Sequence, residues 1–285
     1  MKIYILGASG MLGSKLFTEF IKSPKHKIKG SVRKIPKKLK PFSKFIDKNT
    51  DVNNIVTVAY NLKKFKPDVV INCVGVIKQK ILNKHDEKNT FYLNSIFPHE
   101  LYKIVKSIKS RLIHFSTDCV FDGKLGNYNE KYPANSKDLY GFSKILGEVS
   151  YIGTLTLRTS IIGHELNSNL SLLEWFLSQN KSCKGYTKSF FSGLTTIEIY
   201  KILLKILLKK NLTGIYHLSS TKISKYELLK KISKIYKKKI IIIKSNKFKI
   251  DRSLNSTKLK KILKYKSPNW NNLILEMYKN HSNNI

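Results

Sequence analysis

Gly7-Ala8-Ser9-Gly10-Met11-Leu12-Gly13 stands between a short apolar run, Lys2 to Leu6, and a stretch of helical period, Met11 to Ile21. A strand feeding a glycine turn that opens a helix is the arrangement that binds a dinucleotide. The glycines allow a tight turn, close approach of backbone to a pyrophosphate, and close packing of helix on strand, while the helix N-terminus faces the anion. Gly7, Ser9, Gly10, Met11, Leu12 and Gly13 are therefore expected to contact a cofactor.

Strands and helices alternate outward from this turn, as in a parallel sheet covered on both faces. Strands are expected at Lys27 to Val32, Phe42 to Ile46, Asp68 to Cys73, Arg111 to Ser116 and Leu155 to Arg158. Helices are expected at Val52 to Phe65, at Glu87 to Ile108 with a kink at Pro98, and at Leu139 to Tyr151. The fold class is α/β, a doubly wound parallel sheet with a smaller α+β lobe. Residues 1–163 form the expected dinucleotide-binding domain and 164–285 a substrate lobe partly interleaved with it. In the second half, helices are expected at Leu170 to Gln179, Thr195 to Leu208 and Ser224 to Tyr236, with extended segments at Gly185 to Phe191, Gly214 to Leu218 and Ile240 to Ile243. Two short helices close the chain.

The formal net charge is +36, from 54 basic and 18 acidic residues. Only Arg33, Arg111, Arg158 and Arg252 are arginine, leaving 50 lysines. Surfaces that read nucleic acid favour arginine for its bidentate fork, so the excess is read as codon drift toward A+T with solvated lysine faces. Weak attraction to polyanions is a by-product, and no specific nucleic-acid partner is expected. No uncharged apolar run reaches the roughly 18 to 20 residues that span a bilayer. The chain opens directly on the fold, so no leader is expected and a cytoplasmic location is. Three scattered cysteines and seven scattered histidines suggest neither a disulfide framework nor a metal site. Lys201, Lys205 and Lys209 recur beside Ile202, Leu203, Ile206 and Leu207. That stripe suits a core-facing helix with solvated lysines more than one lying on lipid.

Arg33 closes the second strand. A carboxylate there would hold a ribose 2′-hydroxyl, whereas a guanidinium suits a 2′-phosphate, so NADPH is expected over NADH. Tyr140 and Lys144, four residues apart, lie on one helical face. An ammonium beside a phenol stabilises the phenolate and lowers its pKa, making the tyrosine a usable proton donor. Thr117, 23 residues upstream at the end of a strand, can hydrogen-bond a substrate carbonyl from the same crevice. Tyr102–Lys106 and Tyr226–Lys230 repeat the tyrosine–lysine spacing without this context.

The glycine spacing resembles the extended short-chain dehydrogenases/reductases. Ser116-Thr117-Asp118-Cys119-Val120-Phe121-Asp122-Gly123 and Tyr140-Gly141-Phe142-Ser143-Lys144 closely resemble the dTDP-4-dehydrorhamnose reductase family over residues 1–158, and more loosely beyond. The resemblance implies NADPH-dependent reduction of the 4-keto group of a nucleotide-linked 4-keto-6-deoxyhexose, in the making of surface polysaccharide. By it Tyr140 protonates the alkoxide, Lys144 tunes Tyr140 and holds the nicotinamide ribose, and Thr117 positions the ketone. Cys73, Val74 and Gly75 match a segment that passes beside the cofactor, and Asn94 an asparagine that props the catalytic region. Nucleotide-sugar 4,6-dehydratases carry a glutamate after the aspartate; Cys119 stands there, which disfavours dehydration.

Other positions depart from that family. Cys119 replaces a usual tyrosine, and Ile161 stands where a tryptophan is common, followed by Gly163-His164-Glu165. A UDP-linked 2-acetamido-4-keto sugar is therefore an alternative substrate. Asp118, Lys184, Tyr186, Arg252 and the loop Ser192 to Thr196 are the candidate substrate contacts, with Trp175 read as core. The chain also resembles the regulatory subunit of methionine adenosyltransferase, which leaves a non-catalytic NADP-binding subunit open. A homodimer is an open assembly.

Overall fold

The structure, a computed structural model, describes residues 1–166 and 168–282. Its first half runs β1 (Lys2–Leu6), α1 (Met11–Ile21), β2 (Lys27–Ser31), β3 (Ile46–Asp47), α2 (Ile55–Phe65), β4 (Val69–Asn72), α3 (Lys84–Phe91), α4 (Phe97–Ser107), β5 (Arg111–Ser116), α5 (Leu139–Leu146) and β6 (Thr154–Arg158). The second half adds β7 (Ile161–Ile162), α6 (Leu172–Ser178), β8 (Ser182–Tyr186), β9 (Ser189–Phe191), β10 (Leu194–Thr195), α7 (Thr196–Leu207), β11 (Gly214–His217), β12 (Ile223–Ser224), α8 (Lys225–Ile235), β13 (Ile241–Ser245), β14 (Ile250–Asp251), α9 (Thr257–Leu263) and α10 (Trp270–Ser282).

Seven strands pair in the order β11-β6-β5-β4-β1-β2-β3, all parallel. The order reverses between β1 and β4, and in sheets of this kind the ligand crevice lies at the carboxyl ends of the strands at such a point. Because successive side chains alternate across a sheet, Ile3 and Ile5 face α1 and α7, joining Leu16, Phe17, Phe20, Ile202 and Leu203 in one core. Tyr4 and Leu6 face the other way, onto Val58, Leu62, Phe97 and Leu101 of α2 and α4. Ile202, Leu203, Ile206 and Leu207 of the lysine-striped helix are all buried, so its apolar face is core. β11 shows that chain beyond residue 163 enters the central sheet. Smaller sheets, β8 with β13 and β9 between β12 and β14, stand apart from it.

Several elements depart from expectation. Phe42 to Phe45 lie in a 3₁₀ helix, Lys37–Phe45, and only Ile46–Asp47 is extended. Pro36 caps that helix and Pro41 sits inside it, withholding N–H groups that a ladder would need. The helix expected from Val52 starts at Ile55, where Asn54 caps it by accepting from Thr57 N at 3.2 Å. The long helix through Pro98 is three pieces: α3, a π turn over Tyr92–Ile96, and α4. Gly147 stops α5 well short of Tyr151. The strand expected from Gly185 to Phe191 is two, β8 and β9, separated by a turn.

Gly147 is also where α5 presses on the π turn. A Cβ built there would collide with the Asn94 carbonyl oxygen and lie 3.3 Å from Pro98 Cγ. Gly147→Ala should therefore destabilise the protein by about 1–3 kcal/mol. The measurement is urea unfolding, with a lower midpoint and an unchanged slope; an unchanged midpoint would show the two segments are not pressed together.

Candidate active site

β1 ends in the glycine turn. Gly7 has φ +77°, the left-handed region, and its missing Cβ leaves room for Val74 and the Cys73 carbonyl, each within 3.2 Å of where that atom would sit. Gly13 packs against the Gly7 carbonyl so closely that no Cβ fits between them. Gly10 caps α1 without any side-chain hydrogen bond, and no acidic residue lies in the first turn. The first N–H groups of α1, at Met11, Leu12 and Gly13, thus meet no competing oxygen from a capping side chain, and they suit a pyrophosphate. Arg33 is exposed just past β2. Among the described residues nothing holds its guanidinium by a hydrogen bond or ion pair.

The wall opposite is built by two buried asparagines. Asn72 accepts from Val74 N at 3.0 Å and meets His114 Nδ1 at 3.1 Å. Asn94, on the π turn, accepts from Val76 N at 2.9 Å and donates to Val76 O at 3.1 Å and Ser143 Oγ at 3.2 Å. It thereby ties the segment after β4 to α5. A Cβ on Gly75 would stand 3.2 Å from Asn94 Oδ1 and 3.8 Å from Lys144 Nζ, so Cys73, Val74, Gly75, Asn94 and Lys144 border one crevice.

Thr117 ends β5. Its hydroxyl accepts from Cys119 N and donates to Asp118 Oδ1, both at 3.1 Å, and is near enough to the half-buried Tyr140 phenol to favour the phenolate. Asp138 caps α5, accepting from Gly141 N at 2.9 Å, which sets Tyr140 at the start of that helix. Lys144 Nζ donates to Phe115 O at 2.8 Å. Burial lowers its pKa to about 8, opposed by the Glu148 carboxylate. The phenol itself is shifted up, mainly by burial. The lowering expected from Lys144 is not among the causes of that shift, and the ammonium donates to a strand carbonyl instead. At neutral pH the phenol keeps its proton.

Beneath these residues lies a buried ion pair. Arg158 Nε and Nη2 reach the two Glu148 oxygens at 2.7 and 2.6 Å. Ser116 Oγ donates to Glu148 at 2.7 Å, and Arg158 Nη1 meets His217 Nε2 at 3.3 Å.

Of the expected substrate contacts, Asp118 and Arg252 reach the cleft. Arg252 donates from Nε to Phe121 O at 2.8 Å and from Nη1 to Cys119 Sγ at 3.4 Å, with Nη2 at 3.6 Å from Asp138. Lys184 is exposed on β8, and Tyr186 packs on Phe248 with ring centroids 5.7 Å apart. Among the described residues neither makes a hydrogen bond, ion pair or ring contact with Thr117, Tyr140 or Arg252. Ser192 to Thr196 are buried structural residues; Ser220 Oγ donates to Gly193 O at 2.6 Å, and Leu254 N to Ser192 Oγ at 3.0 Å. Trp175, read as core, is 36% exposed, because α6 is a short surface helix. His164 belongs to a separate cluster, with Nδ1 on Glu174 at 2.6 Å, Nε2 at 2.9 Å from Tyr236 OH, and its ring stacked on His281 at 3.5 Å.

Sequence reasoning missed Lys225, half-buried at the first position of α8, whose electrostatic neighbours are Asp118, Cys119 and Arg252. Among 50 lysines nothing in its spacing marks it. The Glu148–Arg158 pair was missed too. Its one signal is a glutamate four residues after Lys144 in a chain with 18 acidic groups.

The family model described as RmlD substrate binding domain matches residues 1–283. The chain belongs to this family. It is similar to methionine adenosyltransferase 2 subunit beta from Bos taurus, 27% identical over 169 residues, which is 58% of this chain and 48% of that protein. The chain thus spans about half the length of the curated relatives it matches. A solved structure of a hypothetical dTDP-4-dehydrorhamnose reductase from Sulfolobus tokodaii superposes with TM-score 0.78 at 26% identity, covering 95% of this chain and 98% of that one. The dTDP-4-dehydrorhamnose reductase of Bacillus anthracis in complex with NADP gives TM-score 0.81 at 20% identity, covering 98% and 99%; that likeness carries the fold. Among the described residues no helix is long and apolar enough to cross a membrane.

Removing one partner of the buried pair should be costly, since it strands the other charge. Glu148→Gln is expected to lose about 3–5 kcal/mol. Glu148→Met combined with Arg158→Met should recover much of that loss, and denaturant titration of both variants checks the contrast. Equal destabilisation by the two would show that packing, and not the stranded charge, sets the cost.

Proposed function

We propose that the chain is an NADPH-dependent reductase of the 4-keto group of a nucleotide-linked 4-keto-6-deoxyhexose. The observation that carries the proposal is the gathering of Thr117, Tyr140 and Lys144 at the carboxyl end of β5, beside the Gly75–Asn94 wall. Gly7 to Gly13 would hold the cofactor's pyrophosphate, and Arg33, exposed and untethered, its 2′-phosphate. When bound, the cofactor supplies a hydride to carbon 4. The family match supports the substrate class, and the NADP in the Bacillus anthracis reductase supports the cofactor.

This chain's own residues orient the ketone and move one proton. The Thr117 hydroxyl points at the place of the keto oxygen and is fixed by Asp118 and Cys119. Tyr140, protonated at neutral pH, gives its phenolic proton to the oxygen as negative charge builds there. Lys144, cationic below about 8, lies on the helical face of Tyr140 and eases formation of the phenolate. Residues 164–285 would supply the substrate lobe, with α7 and β11 built into the first domain.

Tyr140→Phe should lower turnover by about 10²- to 10⁴-fold, the usual worth of a positioned proton donor, while NADPH affinity stays as in the parent. NADPH absorbance with dTDP- and UDP-linked 4-keto-6-deoxy sugars reads the first, and calorimetry the second. Normal turnover in the variant would refute the assignment. Binding of NADPH without oxidation by either sugar would favour the non-catalytic subunit reading, which the methionine adenosyltransferase relatives motivate.

The Lys144 ammonium sets a pH limit. Its folded pKa is depressed to about 8, so the charge is complete at lower pH and is lost as pH rises through that value. The kcat/KM for reduction should be level on the acid side and fall across it, since that ratio reports the free enzyme. A profile that stays level well above that pH would remove Lys144 from the mechanism.

A further inference from the structure

His114 lies fully buried on β5, paired in register with Asn72 of β4, and takes no part in the proton transfer. Its protonation follows from its neighbours. The Val74 N–H can only donate, so the Asn72 side-chain atom that it meets at 3.0 Å is the oxygen. The Asn72 amide nitrogen therefore faces His114 Nδ1, at 3.1 Å, and it too can only donate. Nδ1 is thus the acceptor, and the proton of the neutral imidazole sits on Nε2. An imidazolium would set two donors against each other. Burial, with Lys144 and His99 nearby, holds the His114 pKa well below its usual value, in keeping with a neutral ring.

Among the described residues Nε2 meets no hydrogen-bond partner. A buried donor left unsatisfied is destabilising, and apolar side chains at both positions would avoid that cost. Core stability alone therefore does not account for the pair. What the pair supplies is a fixed amide. Held by His114, Asn72 keeps its oxygen on Val74 N and turns the chain after β4 toward the glycine turn. There Val74 Cγ2 stands 3.1 Å, and the Cys73 carbonyl 3.2 Å, from the place of a Gly7 Cβ. Gly75, next in the chain, borders Asn94 and Lys144.

We propose that His114 is a positioning residue for the dinucleotide: as the acceptor that locks the Asn72 amide, it fixes Val74 against Gly7 and so shapes the wall beside the cofactor. The inference rests on the reading of Gly7 to Gly13 as the cofactor turn and needs no particular keto sugar. His114 acts through Asn72 and not on the reacting atoms.

The test is calorimetric titration of the full chain with NADPH, alongside urea unfolding. His114→Leu keeps the bulk and removes the acceptor, whereas His114→Asn sets an amide oxygen near the place of Nδ1 but leaves a void. His114→Leu should weaken NADPH binding about tenfold, the worth of a hydrogen bond. His114→Asn should recover most of that affinity, although its void makes it the less stable of the two. Asn72→Leu combined with His114→Leu leaves neither group unpaired, so it should unfold near the parent midpoint and still bind NADPH about tenfold more weakly. Where a keto sugar is reduced, the loss in His114→Leu should fall on KM for NADPH rather than on kcat. Parent affinity in His114→Leu or in the double variant would overturn the proposal, as would affinities that simply follow the urea midpoints or a parent that binds no NADPH. NADPH binding that depends on His114 in this way, without reduction of any keto sugar, would refute the reductase reading and leave this one standing. Parent affinity and parent turnover in His114→Leu would do the reverse.

Discussion

The bidentate pair of Glu148 and Arg158 joins four pieces of chain that must agree in position before any chemistry can follow. Glu148 lies just beyond α5, which carries Tyr140 and Lys144. Its carboxylate also takes the Ser116 hydroxyl, one residue before Thr117. Arg158 ends β6 and meets His217 of β11, whose Nδ1 lies 3.0 Å from Tyr128 O. Helix and strand are thus fixed relative to each other by one charge pair. Its near-complete burial keeps the geometry but leaves no slack, since either charge alone would be stranded in a poorly solvating interior. The same carboxylate favours the charged form of Lys144, so scaffold and electrostatics share one group.

How much of this was legible in the sequence depended on whether the signal was local. The glycine turn and β1, β4 and β5 lie within a residue or two of where apolar runs and glycine chemistry put them. Thr117, Tyr140, Lys144, Gly75 and Asn94 do border one crevice. Boundaries failed where a local device outranked periodicity. Asn54 set the start of α2, Gly147 the end of α5, and two prolines turned an expected strand into a 3₁₀ helix. Lys184 and Tyr186 were placed by residue type alone, and β8 carries them on a ribbon paired with β13, where among the described residues they make no hydrogen bond or ion pair with Thr117 or Arg252. Lys225 was invisible because its electrostatic neighbour Asp118 stands more than a hundred residues away in the chain.

The surplus of lysine bears on this directly. In a chain of net charge +36, basic residues say little by being present and more by what surrounds them. A solvated lysine costs nothing to keep, whereas one taken partly out of water must be answered by an acceptor. Lys144 is answered by Phe115 O. The few arginines are mostly structural: Arg111 donates to the carbonyls of Ile206 and Leu212 at 3.2 and 2.7 Å, and Arg158 and Arg252 are likewise tied down. Arg33 is the exception, kept exposed at the end of β2.

The π turn over Tyr92–Ile96 places one residue more in its loop of backbone than an α-helix would. That extra residue rotates α4 against α3 by about 100°, one helical step, and brings Asn94 between the strand-end backbone and Ser143. A regular helix of the same composition would aim the asparagine elsewhere. The crevice wall is therefore encoded in chain length as well as in residue identity. Losing a single residue between α3 and α4 would be read by the fold as a change of register, even with every named side chain still present.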